Sequence, residues 1–485
     1  MGIVLTIMVG AAPAAAATKR PLLHATYSKL CTVAEQLKAT PKRASKLLGS
    51  LTQAADVATQ MAVKFRIGAA ADPKAHKTAT ALAITLMLEK KAEALLQSLK
   101  TEAAKAVRAT TTTTALRARI AEGLQTFAAA KVNAGYCLDS QATNSDGHTA
   151  FATSACLKDD LQVEAADAKW PAGKLKTDGF TDGPTSSGPV SSDSGTDSQC
   201  ALTHTGTSAG TNCFPQNAKL IAATLTLNAG PSSTMRYLTQ NLQQSNRQDN
   251  KLIEAALEGA NLLDAADVTQ YEAEPEKALK KIVTKQQLIK ELQSTLIFSG
   301  SKDKQGAQAA AESEANKLTD TDSKELVTLW NKLQDTDVQE SSEAYTSEKK
   351  IKTIGSTSEL LKILAYYQGR EAQRIRALEE ENAKLNAAVK AAAKKSEQIC
   401  NAIQDEKNCG NNENCKYEND KTEGPKCVLS DKGKKEAAKE AAKEAAKEAE
   451  TQETAKDGKT NTNTTGSNSF TIKKVPILLA VFLLG

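Results

Sequence analysis

The stretch Tyr27–Ile67, YSKLCTVAEQLKATPKRASKLLGSLTQAADVATQMAVKFRI, is written on a seven-residue beat. Leu30, Leu37, Ala44, Leu51, Ala58 and Phe65 occupy one seam position. Val33, Thr40, Leu47, Ala54 and Met61 occupy the other, with Thr40 its one polar member. A stripe of this kind lies along a partner helix. At 1.5 Å per residue the helix is roughly 60 Å long, long for a globular domain. Pro41 is predicted to bend it or to end its first turns near Thr40, because proline removes a backbone N–H and crowds the preceding turn.

Outward from this helix, GAAADPKAHK (68–77) breaks the run with Gly68 and Asp72-Pro73. A second helical run follows, with Ile84, Leu88, Leu95 and Leu99 on one face and Leu116, Ile120, Leu124 and Phe127 further on. Thr110–Thr114 are poor helix formers, read either as a strained helical stretch held by packing or as a short break. Two long helices joined by a short turn make an antiparallel hairpin, here residues 27–135. Cys31 at its start and Cys137 at its end then lie near the same end.

Residues 136–231 change character. Gly, Ser, Thr, Asp and Pro dominate, Ser186–Ser198 above all, and Cys137, Cys156, Cys200 and Cys213 all fall here. This is an irregular lobe stapled by disulfides, with loops on its surface. Helical character is expected to resume over 217–267, around Leu238 and Leu242, and again over 277–298. Asp303–Glu325 reads as a loop or a peripheral helix. Leu326–Leu333 and Leu360–Leu364 read as short packed helices. Glu371–Lys395 is highly charged, with Ile375, Leu378, Leu385 and Val389 as a thin apolar stripe.

Four cysteines follow in the spacing Cys400-x8-Cys409-x5-Cys415-x11-Cys427. The CxxC pairs of a zinc site are missing, and two disulfides in a domain too small for a real core fit better. The pairing within this domain stays open. KKEAAKEAAKEAAKEAE (434–450) is a charged repeat expected to form an exposed single helix or semi-rigid spacer.

The two ends carry addresses. Residues 3–16 are a short apolar core followed by small residues, read as a secretory signal cut near Ala16 or Ala17. VPILLAVFLLG (475–485) is apolar but only 11 residues long, against the ~20 a membrane-spanning helix needs. Small polar residues, a polar spacer and a short greasy tail are the three parts of a glycosylphosphatidylinositol signal. Asn463 is the first choice of attachment residue, with Ser467 and Asn468 as alternatives. Asn463-Thr464-Thr465 is also the one Asn-x-Ser/Thr sequon found, so Asn463 is glycosylated only if it is not the anchor residue. A secreted, tethered chain reads its cysteines as disulfides. The total of nine leaves one over, and grouping points to Cys213.

The expected fold class is mainly α. It is a long antiparallel helical hairpin with an irregular disulfide-stapled lobe, plus a small cysteine-rich C-terminal domain. The expected segments are a signal over 1–16, the elongated domain over 17–395 (with further helices and a second lobe over 232–395), the small domain over 396–430, spacer and linker over 431–463, and the removed anchor signal over 464–485.

Little in the chain carries chemistry. The 62 basic and 57 acidic residues make a mixed, solvated surface with a net charge of +5, not a nucleic-acid footprint. Aromatics are only 4%. No nucleotide loop, zinc-protease helix, nucleophile elbow or calcium loop is present. His24, His76, His148 and His204 read as surface residues, and Asp159, Asp160 and Glu164 as a solvated acidic face. Trp170, Phe180, Trp330, Tyr366 and Tyr367 read as core. No cofactor, metal, catalytic residue or small-molecule substrate is assigned, and no enzymatic activity is expected.

The opening after the signal, Leu30-Cys31-Thr-Val33-Ala-Glu35-Gln-Leu37, and Leu51-Thr-Gln-Ala54-Ala55 resemble the class A amino-terminal domain of the trypanosome variant surface glycoproteins. The tail, Thr465 to Leu484, is very similar to that family's anchor signal. The resemblance covers essentially the full chain. It implies disulfides Cys31–Cys156 and Cys137–Cys200, with Cys213 outside the usual set. It also implies a homodimer of helical hairpins, anchored through a glycosylphosphatidylinositol lipid on the extracellular face of the plasma membrane. Such proteins form a dense coat that shields the parasite from host antibody and changes by antigenic variation. The alternative within the same fold is a receptor for a host serum protein.

Overall fold

The structure, a computed structural model, describes residues 21–132 and 135–139, single positions and short strands between 151 and 237, and 250–453 apart from 265, 267 and 340–346. The fold is mainly α, with a long helical hairpin, a disulfide-stapled lobe and a small cysteine-rich C-terminal domain. Its contacts divide it into two units: Met1–Ala62 with Leu86–Thr284, and Val63–Thr85 with Lys285–Gly485.

Helix α1 spans His24–Ala71 and α2 spans Thr78–Ala129. Every seam residue of the heptad stripe is buried, Thr40 included, and none is more than 4% exposed. In the first unit Leu30, Val33 and Leu37 share a core with Leu116, Ile120, Leu124 and Phe127. Further along, Leu47 and Leu51 share one with Leu95, Ala106 and Ala109. Rising numbers on α1 meet falling numbers on α2, so the helices are antiparallel.

Pro41 does not end the helix. It sits inside α1, which runs unbroken through it. An interior proline costs about 3 kcal/mol, and the buried stripe on both sides of it outweighs that cost. The threonine run does not break α2 either. Thr113 is fully buried, and its hydroxyl donates to the Ala109 carbonyl four residues back at 2.7 Å. Thr112 Oγ1 donates to Arg108 O at 2.9 Å and lies 3.2 Å from Ala255 O. Back-bonding satisfies the hydroxyls within the helix, and packing supplies what propensity withholds.

Residues 217–267 differ from the expectation. After two antiparallel pairs of two-residue strands, β1 (Lys131–Val132) with β2 (Gly135–Tyr136) and β3 (Leu175–Lys176) with β4 (Gly179–Phe180), a three-stranded antiparallel sheet, β5 (Ala218–Leu220), β6 (Leu225–Leu227) and β7 (Met235–Tyr237), precedes a single helix α3 (Lys251–Asp264). Leu238 and Leu242 lie outside the described residues. The β5–β6 turn places Ile221, Ala222 and Ala223 at φ of 49°, 54° and 57°, left-handed values costly for residues with a Cβ. Asn250 Nδ2 donates to the Ala222 carbonyl at 2.7 Å and holds that turn. Gly259 of α3 faces α2 so closely that a Cβ would come within 2.6 Å of Ala109 Cα.

The expected helix over 277–298 is two: α4 (Pro275–Ile282), the last element of the first unit, and α5 (Lys285–Phe298), in the second. The polar stretch after it forms α6 (Lys304–Leu318), capped by Asp303, with Ala307, Ala311 and Ala315 buried. Helix α7 spans Lys324–Gln334, and β8 (Asp337–Gln339) pairs with β9 (Glu348–Lys350). The two segments expected around Leu360 and over 371–395 are one helix, α8, Thr357–Asn401, which runs through the expected 395/396 boundary. After the short α9 (Glu406–Gly410), β10 (Cys415–Tyr417) pairs with β11 (Cys427–Leu429). The charged repeat is helical, α10 (Asp431–Glu453), but it does not stand alone. It packs along α8, and Ala437 and Ala441 are buried. Alanines spaced four apart form one narrow face, which allows the close approach.

Candidate functional site

The hairpin's open end is a stapled apolar cluster. Disulfides join Cys31 to Cys156 and Cys137 to Cys200, with Cα–Cα distances of 5.0 and 4.3 Å. All four sulfurs belong to a core that also holds Leu30, Phe127 and Phe180. The chain before α1 is tied down beside them. Leu22 N donates to Cys137 O at 2.7 Å, and Asp139 N donates to Leu22 O at 2.9 Å. Tyr27 Oη donates to Asp139 O at 3.1 Å, while its ring meets Phe151 edge-on at 6.1 Å. Burial, with the Asp139 carboxylate as the lesser cause, pushes the Tyr27 phenol up to about 12. It therefore stays a hydrogen-bond donor throughout the physiological range. Gln36 Nε2 donates to Asp182 Oδ2 at 2.6 Å, and Lys174 pairs with the other oxygen at 3.1 Å. Sequence reasoning missed Asp182, since nothing local marks which carboxylate in a loop will meet a helix far away in the chain.

The small domain is cross-linked alternately, Cys400 to Cys415 and Cys409 to Cys427. The Asn414 carbonyl accepts from both Ser430 N and Ser430 Oγ at 2.9 Å. Gly433, in the first turn of α10, faces the same carbonyl, and a Cβ there would collide with it. Serine, glycine and disulfides thus fix the angle at which α10 leaves the domain.

At the hairpin turn, His76 is 2% exposed. It is not the surface residue expected. Trp330 packs on Phe65 at 5.7 Å between ring centres, and both are buried. Lys64 is also buried, its ammonium 3.4 Å from Gln334 Oε1, and burial pulls its pKa down. Phe180 is core, whereas Tyr366 and Tyr367 are half-buried and meet edge-on at 5.3 Å. Cys213, Asn463, Ser467, Asn468, His148, His204, Asp159, Asp160, Glu164 and Trp170 lie outside the described residues, as do both terminal address segments. Among the described residues no group of three or more His, Cys, Asp or Glu is placed to hold a metal ion. No helix among them is long and apolar enough to cross a membrane.

Comparison with known proteins follows the two-part layout. Residues 3–368 match the family described as trypanosome variant surface glycoprotein (A-type). Residues 416–484 match the family described as variant surface glycoprotein ETAT. A curated relative, variant surface glycoprotein MITAT 1.2 of Trypanosoma brucei brucei, is 38% identical over 136 residues, which are 28% of this chain and 25% of the relative. The chain thus spans about a quarter of that relative's length in the match. The solved structure of MITat 1.1 is 16% identical with a TM-score of 0.54, covering 75% of this chain and 99% of that one, and it shares the fold.

Proposed function

The chain belongs to the A-type trypanosome variant surface glycoproteins, and from that premise we propose that it is a lipid-anchored coat protein of the parasite surface. In this reading residues 1–16 are a secretory signal and 464–485 an anchor signal. The mature chain hangs from a glycosylphosphatidylinositol at Asn463, with Ser467 and Asn468 as the other acceptors. It is a homodimer on the extracellular face of the plasma membrane. It shields the membrane from host antibody and is replaced by antigenic variants. The observation that carries this reading is the family match across the helical hairpin and its stapled end, residues 3–368. The work is mechanical. Long helices give height, the disulfides staple one end of the hairpin, and no catalytic role is assigned.

The experiment is surface labelling of cells expressing this gene, before and after phosphatidylinositol-specific phospholipase C. A coat protein labels the whole surface densely, and the lipase releases it. Sparse label confined to one membrane region sinks the coat reading and favours a receptor for a host serum protein. Label that survives the lipase sinks the lipid anchor.

A further inference from the structure

Helix α8 outlasts its packing. Residues 371–384 are exposed on every face except for the half-buried Ile375, and Leu378 is 54% exposed. Towards its C-terminal end α10 packs along α8, and Val389, Ala392 and Ser396 are half-buried. The thin stripe of the sequence therefore has a covered part and an outlying part. The outlying part, the exposed Leu378 and Asn382 with the half-buried Ile375 and Leu385, steps by three, four and three. That is the seam of a coiled coil, with Ile375 and Asn382 at one core position and Leu378 and Leu385 at the other.

We infer that residues 371–385 of α8 pair with the same residues of a second copy in a parallel, two-stranded coiled coil. The choice of residues argues for two strands. A β-branched residue at the first core position with leucine at the second favours dimers, and an asparagine at the first position fixes register and strand number at some cost in stability. The charges argue for parallel pairing. Arg374 and Glu379 flank the seam five residues apart, so a parallel in-register pair sets each arginine against the partner's glutamate. An antiparallel pair would set like charges together. Arg376, Glu380 and Lys384 fall on the outer face.

Four core side chains per copy are few against the ~800 Å² per partner of a standard interface. The contact closes between chains already held together, where tethering raises the effective concentration. The inference rests on the proposed homodimer of anchored chains, in which both copies point the same way.

The test is cysteine cross-linking of the full chain on expressing cells. Leu378→Cys gives a disulfide-linked dimer under mild oxidation, above the wild-type background. Glu380→Cys, on the outer face, does not. Arg374→Glu lowers the Leu378→Cys yield several-fold, and adding Glu379→Arg restores it. Equal yields at 378 and 380, or none at 378, overturn the inference. An amine-reactive cross-linker applied in parallel separates the two ideas. If it still captures dimers while Leu378→Cys does not, the homodimer stands and this contact falls. If it captures none, the homodimer itself falls.

Discussion

His76 Nε2 lies 2.9 Å from the hydroxyl oxygen of Thr336, 260 residues away in the chain. Thr336 Oγ1 donates its own proton to the Lys332 carbonyl at 3.1 Å. Its lone pairs therefore face the ring, and His76 Nε2–H is the donor. The ring packs beside Gly68, with Asp72 on its own turn and Lys332 on α7 as the charged neighbours.

This makes stability depend on pH. Burial, the largest cause, lowers the His76 pKa below the ordinary 6.5, against the pull of Asp72 and with the push of Lys332. Below about pH 6.5 the unfolded chain takes up a proton that the folded chain resists. The contribution is thus full above that pH and declines as the pH falls through it. Thermal unfolding of the wild type should weaken more between pH 7 and pH 5 than that of His76→Gln. Parallel profiles would show that the ring carries none of the slope.

The two hairpin disulfides close chain separations of 125 and 63 residues. In the chain-entropy account each contributes about 4–5 kcal/mol. Replacing Cys137 and Cys200 together by serine should lower the denaturation midpoint sharply, by about 2–5 kcal/mol in the measured free energy. A midpoint within error of the wild type would mean that the core at this end holds without its staple.

The turn Ile221–Ala223 holds three side-chain-bearing residues in left-handed geometry. Ala222→Gly should stabilise the protein by about 1 kcal/mol, since glycine adopts that geometry freely. Asn250→Ala should destabilise it by about 1–3 kcal/mol, because the Ala222 carbonyl and the Ile253 N–H both lose a partner. Opposite signs in thermal melts of the two variants are the expected outcome.

Pro41→Ala returns to α1 the N–H that the Leu37 carbonyl lacks. It should raise stability, by up to about 3 kcal/mol if the helix is otherwise unchanged. A fall would mean that the stripe depends on the local shape proline imposes.

Gly433→Ala forces a methyl group against the Asn414 carbonyl. The small domain should loosen while the hairpin does not. Hydrogen exchange should quicken at 414–433 and stay unchanged at 47–61.

The stripe on α1 was legible residue by residue because helical periodicity is a local property: each seam residue is set by its own register. The second helix and the cysteine-rich domain were legible for the same reason, and so was the break after α1, although Gly68 does not start it: the helix runs on to Ala71 and stops at Asp72-Pro73. The strands between 218 and 237 were not. Each is only three residues long, too short to show a period. His76 looked like any surface histidine, because its partners Lys332 and Thr336 lie about 260 residues along the chain.

The sequence by itself determined that the two long helices α1 and α2 form and which face of each is apolar, since propensity and periodicity act within a few turns. Tertiary structure alone decided whether α1 survives Pro41, whether Thr113 is strained or satisfied, how Cys400, Cys409, Cys415 and Cys427 pair, and that α10 lies on α8 instead of standing free. The deciding contacts join different elements, α1 with α2 around the stripe and α8 with α10, while the Thr113 hydroxyl is satisfied within its own helix. KEAAKEAA has one helical conformation whether or not its alanines touch anything, and only the folded chain brings α8 to Ala437 and Ala441.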